Sequence, residues 1–151
     1  MQTASEPNNQ IRKAVLDVLA AAPAAPLARL WADWVGKPDH SRLRGPETGL
    51  VMVRGRAGGG GAPFNLGEAS VSRASVRIVT GEVGHGYCLG RDTAKAEAIA
   101  IIDALWQREP QRVQVEIIEP LQEIAKQADR KKRQEAAATK VDFFTMVRGD
   151  N

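Results

Sequence analysis

Four consecutive glycines, Gly58, Gly59, Gly60 and Gly61, follow Arg54 and Arg56, and Arg73 comes later. Glycine lets backbone N–H groups close around a phosphate, and arginine forks onto phosphate oxygens, so these seven residues are the phosphate-binding candidates. The set is incomplete as a nucleotide site. No Lys-Ser or Lys-Thr pair follows the glycines, as the common nucleoside-triphosphatase loop requires. Nor does the run open a helix whose dipole would assist binding. The plainer reading is a flexible hairpin loop. Gly84, Gly86 and Gly90 approach the dinucleotide-binding spacing but place the last glycine one residue late.

Acid–base chemistry has two weak candidates, Glu68 and His85. The other histidine, His40, lies far away in sequence, and neither a His-Glu-x-x-His helix nor a nucleophile elbow is present. His85 alternates with Val83, Tyr87 and Leu89, the setting of a satisfied core or interface histidine. Cys88, three residues along the same extended segment, faces the other way. Glu47, Glu68, Arg73, Arg91 and Asp92 flank the expected strand ends, either as a polar site or as ordinary salt bridges. No residue is firmly assigned to catalysis, and no metal site is expected. A single cysteine excludes an internal disulfide, and equally a cysteine-rich zinc site or an iron–sulfur cluster held by this chain alone.

The densest basic run, Arg130-Lys131-Lys132-Arg133, is bordered by Asp129 and Glu135 and has no interleaved aromatic. It reads as a solvated or partner-docking helix face; nucleic-acid or generic anion binding ranks below that. A net charge of +3 is too mild to reverse this ranking. The chain closes on VDFFTMVRGDN, placing Phe143, Phe144, Met146 and Val147 where termini usually carry small polar residues, then Arg148 and Asp150. Left open, these side chains make an interaction patch; the alternative is that they fold back on the domain. Arg-Gly-Asp invites an adhesion reading, but without an export signal the tripeptide reads as a coincidence of three common residues. The start MQTASEPNNQ lacks a secretion signal and no apolar run reaches the ~20 residues of a membrane span, so a soluble, cytoplasmic protein is expected.

The elements that must position these residues follow from periodicity. Asn8 or Asn9 can cap a helix with Ile11, Val15, Val18, Leu19 and Ala22 on one face, ended by Pro23. A second opens near Pro26 with Leu27, Leu30, Trp31, Trp34 and Val35 on one side, the tryptophans as core or interface residues. Near Pro46 the texture turns to β-branched runs. Leu50-Val51-Met52-Val53 looks like a strand covered on both faces. Pro63–Thr80 is extended, with Val71 out of phase and a bulge or twist expected near Ser72. Thr80-Gly81 predicts a tight turn. Gly84, Gly86 and Cys88 form a face that another backbone or a helix can approach closely. Asp92 caps a helix with a buried stripe of Ala94, Ala98, Ile101, Ile102 and Leu105. Residues 113–118 fit helix or strand, and Leu121–Ala138 reads as a helix with little core to bury. The expectation is one α+β domain over residues 1–151: N-terminal helices (1–45), an antiparallel sheet of three or more strands (46–91), a helical region (92–140) and a docking tail (141–151).

Three stretches then carry a family resemblance. PETGLVMVRGRAGGGGAPFNLGEASVSRASVRI (Pro46–Ile78), GYCLGRDTAKAEAIAIIDAL (Gly86–Leu105) and VDFFTMVRGD (Val141–Asp150) resemble the PhnG family of bacterial phosphonate utilisation. Ser70 and Ser72 stand where that family often has threonine, so a hydroxyl is kept. The resemblance implies a subunit of the carbon–phosphorus lyase complex with PhnI, PhnH and PhnJ, with PhnL associated. That assembly joins methylphosphonate to the ribose C1′ of ATP and releases adenine. It implies ATP and alkylphosphonate as substrates of the complex, with no cofactor bound by this chain alone. A scaffold role is preferred. The alternative gives Arg54, Arg56 or Arg73 the triphosphate and lets Glu68 or His85 assist adenine departure.

Overall fold

A computed structural model describes residues 6–58 and 60–139. The order is α1 (Glu6–Ala21), α2 (Ala24–Asp33), β1 (His40–Arg56), β2 (Pro63–Ile78), β3 (Val83–Leu89), α3 (Thr93–Arg108) and α4 (Pro110–Val113). A π-helical turn (Gln114–Ile118) then carries the chain into α5 (Glu119–Ala138). The strands form one antiparallel sheet in the order β1-β2-β3, so the α+β class holds. The π turn settles the ambiguous 113–118 segment as helical: Val113, Ile117 and Ile118 bury against the core while Val115 stays exposed.

The contact that sets the packing is between β3 and α3. A Cβ added to Gly84 would collide with the Ala100 carbonyl oxygen and lie 2.6 Å from the Ala104 nitrogen. One added to Gly86 would collide with the Ala96 carbonyl and lie 2.8 Å from the Ala100 nitrogen. The glycine face therefore receives the helix backbone itself. Of the expected stripe, Ile101, Ile102 and Leu105 are buried, whereas Ala98 is half-buried and Ala94 exposed; Ala96, Ile99, Ala100 and Ala104 are buried beside them, where the strand approaches. Small side chains, not large ones, mark the approach. Val15 and Leu19 of α1, Leu27 and Trp34, and Ala74, Val76 and Ile78 of β2 close the core around it.

Several elements depart from the sequence reading. Helix α1 already includes Asn8 and Asn9, and Ile11 lies exposed outside its core face. Val35 is likewise exposed, beyond the end of α2. Strand β1 begins at His40, six residues ahead of Pro46, because the polar run His40–Arg44 pairs with Ile78–Ser75. The register slips on either side of Arg44, and Gly45 adopts φ +62° with no room for a Cβ beside the Glu47 nitrogen. These slips lie on β1. The bulge expected near Ser72 is absent from the β2–β3 pairing, which runs unbroken from Val71↔Leu89 to Arg77↔Val83. Ser72 is buried because its hydroxyl donates to the Gly90 carbonyl (2.9 Å).

The largest departure is at Leu50–Val53. Leu50, Met52 and Val53 are 61%, 58% and 40% exposed, not covered on both faces. The β1–β2 hairpin outruns both β3 and α3, since β3 pairs with β2 no further out than Val71. Thr80-Gly81 forms the expected turn, with the Gly81 N–H donating to the Ile78 carbonyl (2.9 Å). Gly86→Ala is expected to lower stability by about 1–3 kcal/mol through overpacking. In a protein of this size that is a Tm loss of roughly 3–10 °C. Thermal unfolding followed by circular dichroism checks it; an unchanged Tm would contradict the backbone contact.

Candidate functional site

The glycine loop closes the far end of the β1–β2 hairpin, where Arg56 pairs with Pro63 and Arg54 with Asn65. Arg54, Arg56, Gly58 and Gly60 are exposed, and a Cβ at Gly58 or Gly60 would meet nothing within 4 Å; Gly59 lies outside the described residues. Arg73 is ten residues from Pro63 along β2, roughly 30 Å away at strand rise. The hairpin thus does not bring Arg73 to the loop. Its guanidinium Nε donates to Glu47 Oε1 (2.7 Å), which also accepts from Arg44 Nε (2.9 Å). Those two hydrogen bonds, Arg44 first, hold the Glu47 carboxyl below the usual carboxylate range.

Glu68 and His85 do not meet either. Glu68 pairs with Met52 on the projecting hairpin, whereas His85 pairs with Ser75, seven residues further along β2. That separation is roughly 23 Å. Arg73, Ser75 and Arg77 share the sheet face turned away from α3, and their β3 partners Tyr87, His85 and Val83 share it with them. There His85 Nδ1 and Ser75 Oγ lie 2.9 Å apart. Cys88 is on the opposite, buried face, and burial raises its thiol pKa, which disfavours a reactive thiolate. Of the other polar candidates, Asp92 caps α3 by accepting from the Lys95 N–H (2.9 Å), and Arg91 is exposed.

Two further ion clusters tie elements of the body together. Asp103 is fully buried in α3 and accepts from Arg12 Nε (2.8 Å), Arg12 Nη2 (2.7 Å) and the His85 backbone N–H (2.8 Å). The side-chain hydrogen bond to Asp103 raises the Arg12 pKa. Asp103 is absent from the candidates drawn from residue type and spacing, although a charge inside the apolar run Ile101-Ile102-Asp103-Ala104-Leu105 is a usable signal. Glu97 accepts from Arg42 Nε (2.6 Å) and Nη2 (3.0 Å), and His40 Nε2 lies 3.2 Å from it. The Arg42 hydrogen bond is the main cause of its lowered pKa. These are ties between elements; no acid and base converge in them on an open space.

The apolar groove between α2 and α3, about 490 Å³, is lined mainly by alanines with Leu27 and Trp31. Its Lys95 ammonium is committed to the Ala20 and Ala22 carbonyls. Trp34 is buried, with Arg112 stacked 3.9 Å from its ring centroid, as a core tryptophan. Among the described residues no cluster of His, Cys, Asp or Glu is arranged to hold a metal. No single helix there is long and apolar enough to cross a membrane; α1 and α2 qualify only as a pair bent by 114°, with Val15, Leu19 and Leu27 in the core. The expected interface residues Phe143, Phe144, Met146, Val147, Arg148 and Asp150 lie outside the described residues.

Comparison with known proteins carries the identification further. The family model for phosphonate metabolism protein PhnG matches residues 10–149. The chain is 53% identical over 141 residues to the alpha-D-ribose 1-methylphosphonate 5-triphosphate synthase subunit PhnG of Rhizobium meliloti (strain 1021). The alignment covers 93% of this chain and 90% of that relative.

The Glu97 cluster gives a pH signature. A carboxyl with a depressed folded pKa adds stability above the usual value of 4.5 and loses it as pH falls through the depressed value. Urea unfolding between about pH 5 and pH 3 should therefore show a shallower acid loss in Glu97→Gln than in the wild type. Parallel pH profiles would contradict the ion pairs.

Proposed function

This chain belongs to the PhnG family, and we propose that it serves as a non-catalytic or co-catalytic subunit of an alpha-D-ribose 1-methylphosphonate 5-triphosphate synthase. The reaction breaks the bond between adenine and the ribose C1′ of ATP, forms a bond from that carbon to a methylphosphonate oxygen, and leaves adenine carrying a proton. ATP and alkylphosphonate are substrates of the whole assembly. The partners in this reading are PhnI, PhnH and PhnJ, with PhnL associated, in the cytoplasm.

The observation that carries the subordinate role is the dispersal of the candidates. Arg54 and Arg56 sit at the hairpin tip, Glu68 midway along it, and Arg73 and His85 on the body. General acid–base catalysis needs its groups within hydrogen-bond reach of one substrate. Here Glu68 and His85 are too far apart to serve one leaving group. Arg73 is already engaged by Glu47. The chain accordingly contributes surface and position, and the partners contribute the chemistry.

Alanine variants at Arg54, Glu68, Arg73 and His85, each assayed in the reconstituted complex, are expected to keep adenine release within about threefold of wild type. A loss of about 100-fold with assembly intact, the scale of general acid–base catalysis, would move catalysis onto this chain. The tail belongs to the same reading. Deleting residues from Val141 onward should release the chain from its partners while leaving its Tm unchanged; normal co-purification of the truncated chain would remove the tail from the interface.

A further inference from the structure

Beyond Val71 the sheet narrows to a two-stranded ribbon, Leu50–Arg56 paired with Pro63–Ser70. Leu50, Met52, Val53, Phe64 and Leu66 are exposed on it. Leu50 and Met52, two residues apart, point to one face; Val53 points to the other. The first face is the one that α3 covers further down, because Thr48, two residues before Leu50, brings its hydroxyl 3.4 Å from that of buried Ser72. An apolar run of this kind belongs to strands buried on both sides, yet this ribbon has a solvated face on each side. A two-stranded ribbon alone in water is marginal at best.

Resting on the subunit reading above, we propose that this ribbon inserts into a two-walled apolar cleft of a different protein subunit, with acidic side chains at the cleft's deep end. Three observations select that occupant. Exposure on both faces calls for walls on both sides, which a flat surface does not supply. Both ribbon edges carry unpaired backbone: β1 is an edge strand, and β2 has no β3 partner beyond Val71 among the described residues. A protein can satisfy those N–H and C=O groups by adding a strand, whereas hydrocarbon cannot, which disfavours a lipid surface. Charge decides the third point. Arg54 and Arg56 are exposed near the tip, and Glu68 is the sole acid between Leu50 and Ala69. Acidic groups deep in the cleft would match them, while a second copy of this ribbon would mostly set arginine against arginine.

The test uses the full chain co-expressed with the other synthase subunits. Leu50→Glu/Met52→Glu, at exposed positions, should leave the Tm of the free chain within a few degrees of wild type and weaken assembly on the order of tenfold or more. A photo-crosslinking residue replacing Phe64 should label a different subunit. Normal assembly of the double variant overturns the proposal, as does a crosslink confined to a second copy, to the chain's own C-terminal tail, or to nothing. Wild-type binding to anionic phospholipid vesicles that the double variant loses would assign the ribbon to a membrane and overturn it too. Failure of the wild-type chain to join the subunits at all would instead strike the subunit reading itself.

Discussion

The rest of the fold depends on the close approach of α3 to β3. Because Gly84 and Gly86 have no side chains, the helix backbone reaches the strand, with the Ala96 and Ala100 carbonyls where β-carbons would stand. At that separation Asp103, two turns beyond Ala96, can accept from the His85 N–H and from Arg12 at once, joining α3, β3 and α1 through one carboxylate. Lys95 ties the start of the same helix to the end of α1 through the Ala20 and Ala22 carbonyls. A buried charge is tolerable only when paired and hydrogen-bonded, and Asp103 meets both conditions.

The same packing leaves the outer hairpin bare. Helix α3 lies over β3 and the inner half of β2, so the sheet is covered where three strands run and uncovered where two remain. A firm body and a projecting apolar arm are thus two results of one geometry. The arm carries Arg54, Arg56 and Glu68, and the body carries Arg73 and His85. An enzyme acting alone would gather such groups in one cleft. Here they are divided between the body and the bare hairpin, too far apart to meet on one small substrate.

Much of this was legible in the residues because period and glycine placement report local geometry. The alternation of Val83, His85, Tyr87 and Leu89 against Gly84, Gly86 and Cys88 gave both the strand and the face that a helix approaches. Asp92 as a cap and Thr80-Gly81 as a turn are local hydrogen-bonding devices, and both are present. What escaped was set by contacts distant in sequence. Strand β1 starts early because His40–Arg44 pairs with Ile78–Ser75, and there Arg42 and His40 also meet Glu97 more than fifty residues away. Leu50–Val53 has the pattern of a covered strand, but pattern does not say whether the cover comes from the same chain. Of the candidate site, sequence identified the residue types and the family motifs. It did not give the separations, since a long hairpin places nearby residue numbers at opposite ends of one ribbon.

Amide hydrogen exchange, compared between the free chain and the assembled synthase, tests the division of labour most directly. In the free chain the amides of 72–78 and 84–88, under α3, should be well protected and those of 50–56 and 64–69 poorly protected. On assembly, protection should rise strongly across the ribbon and change little beneath α3. A ribbon that exchanges equally fast in the complex would contradict the account.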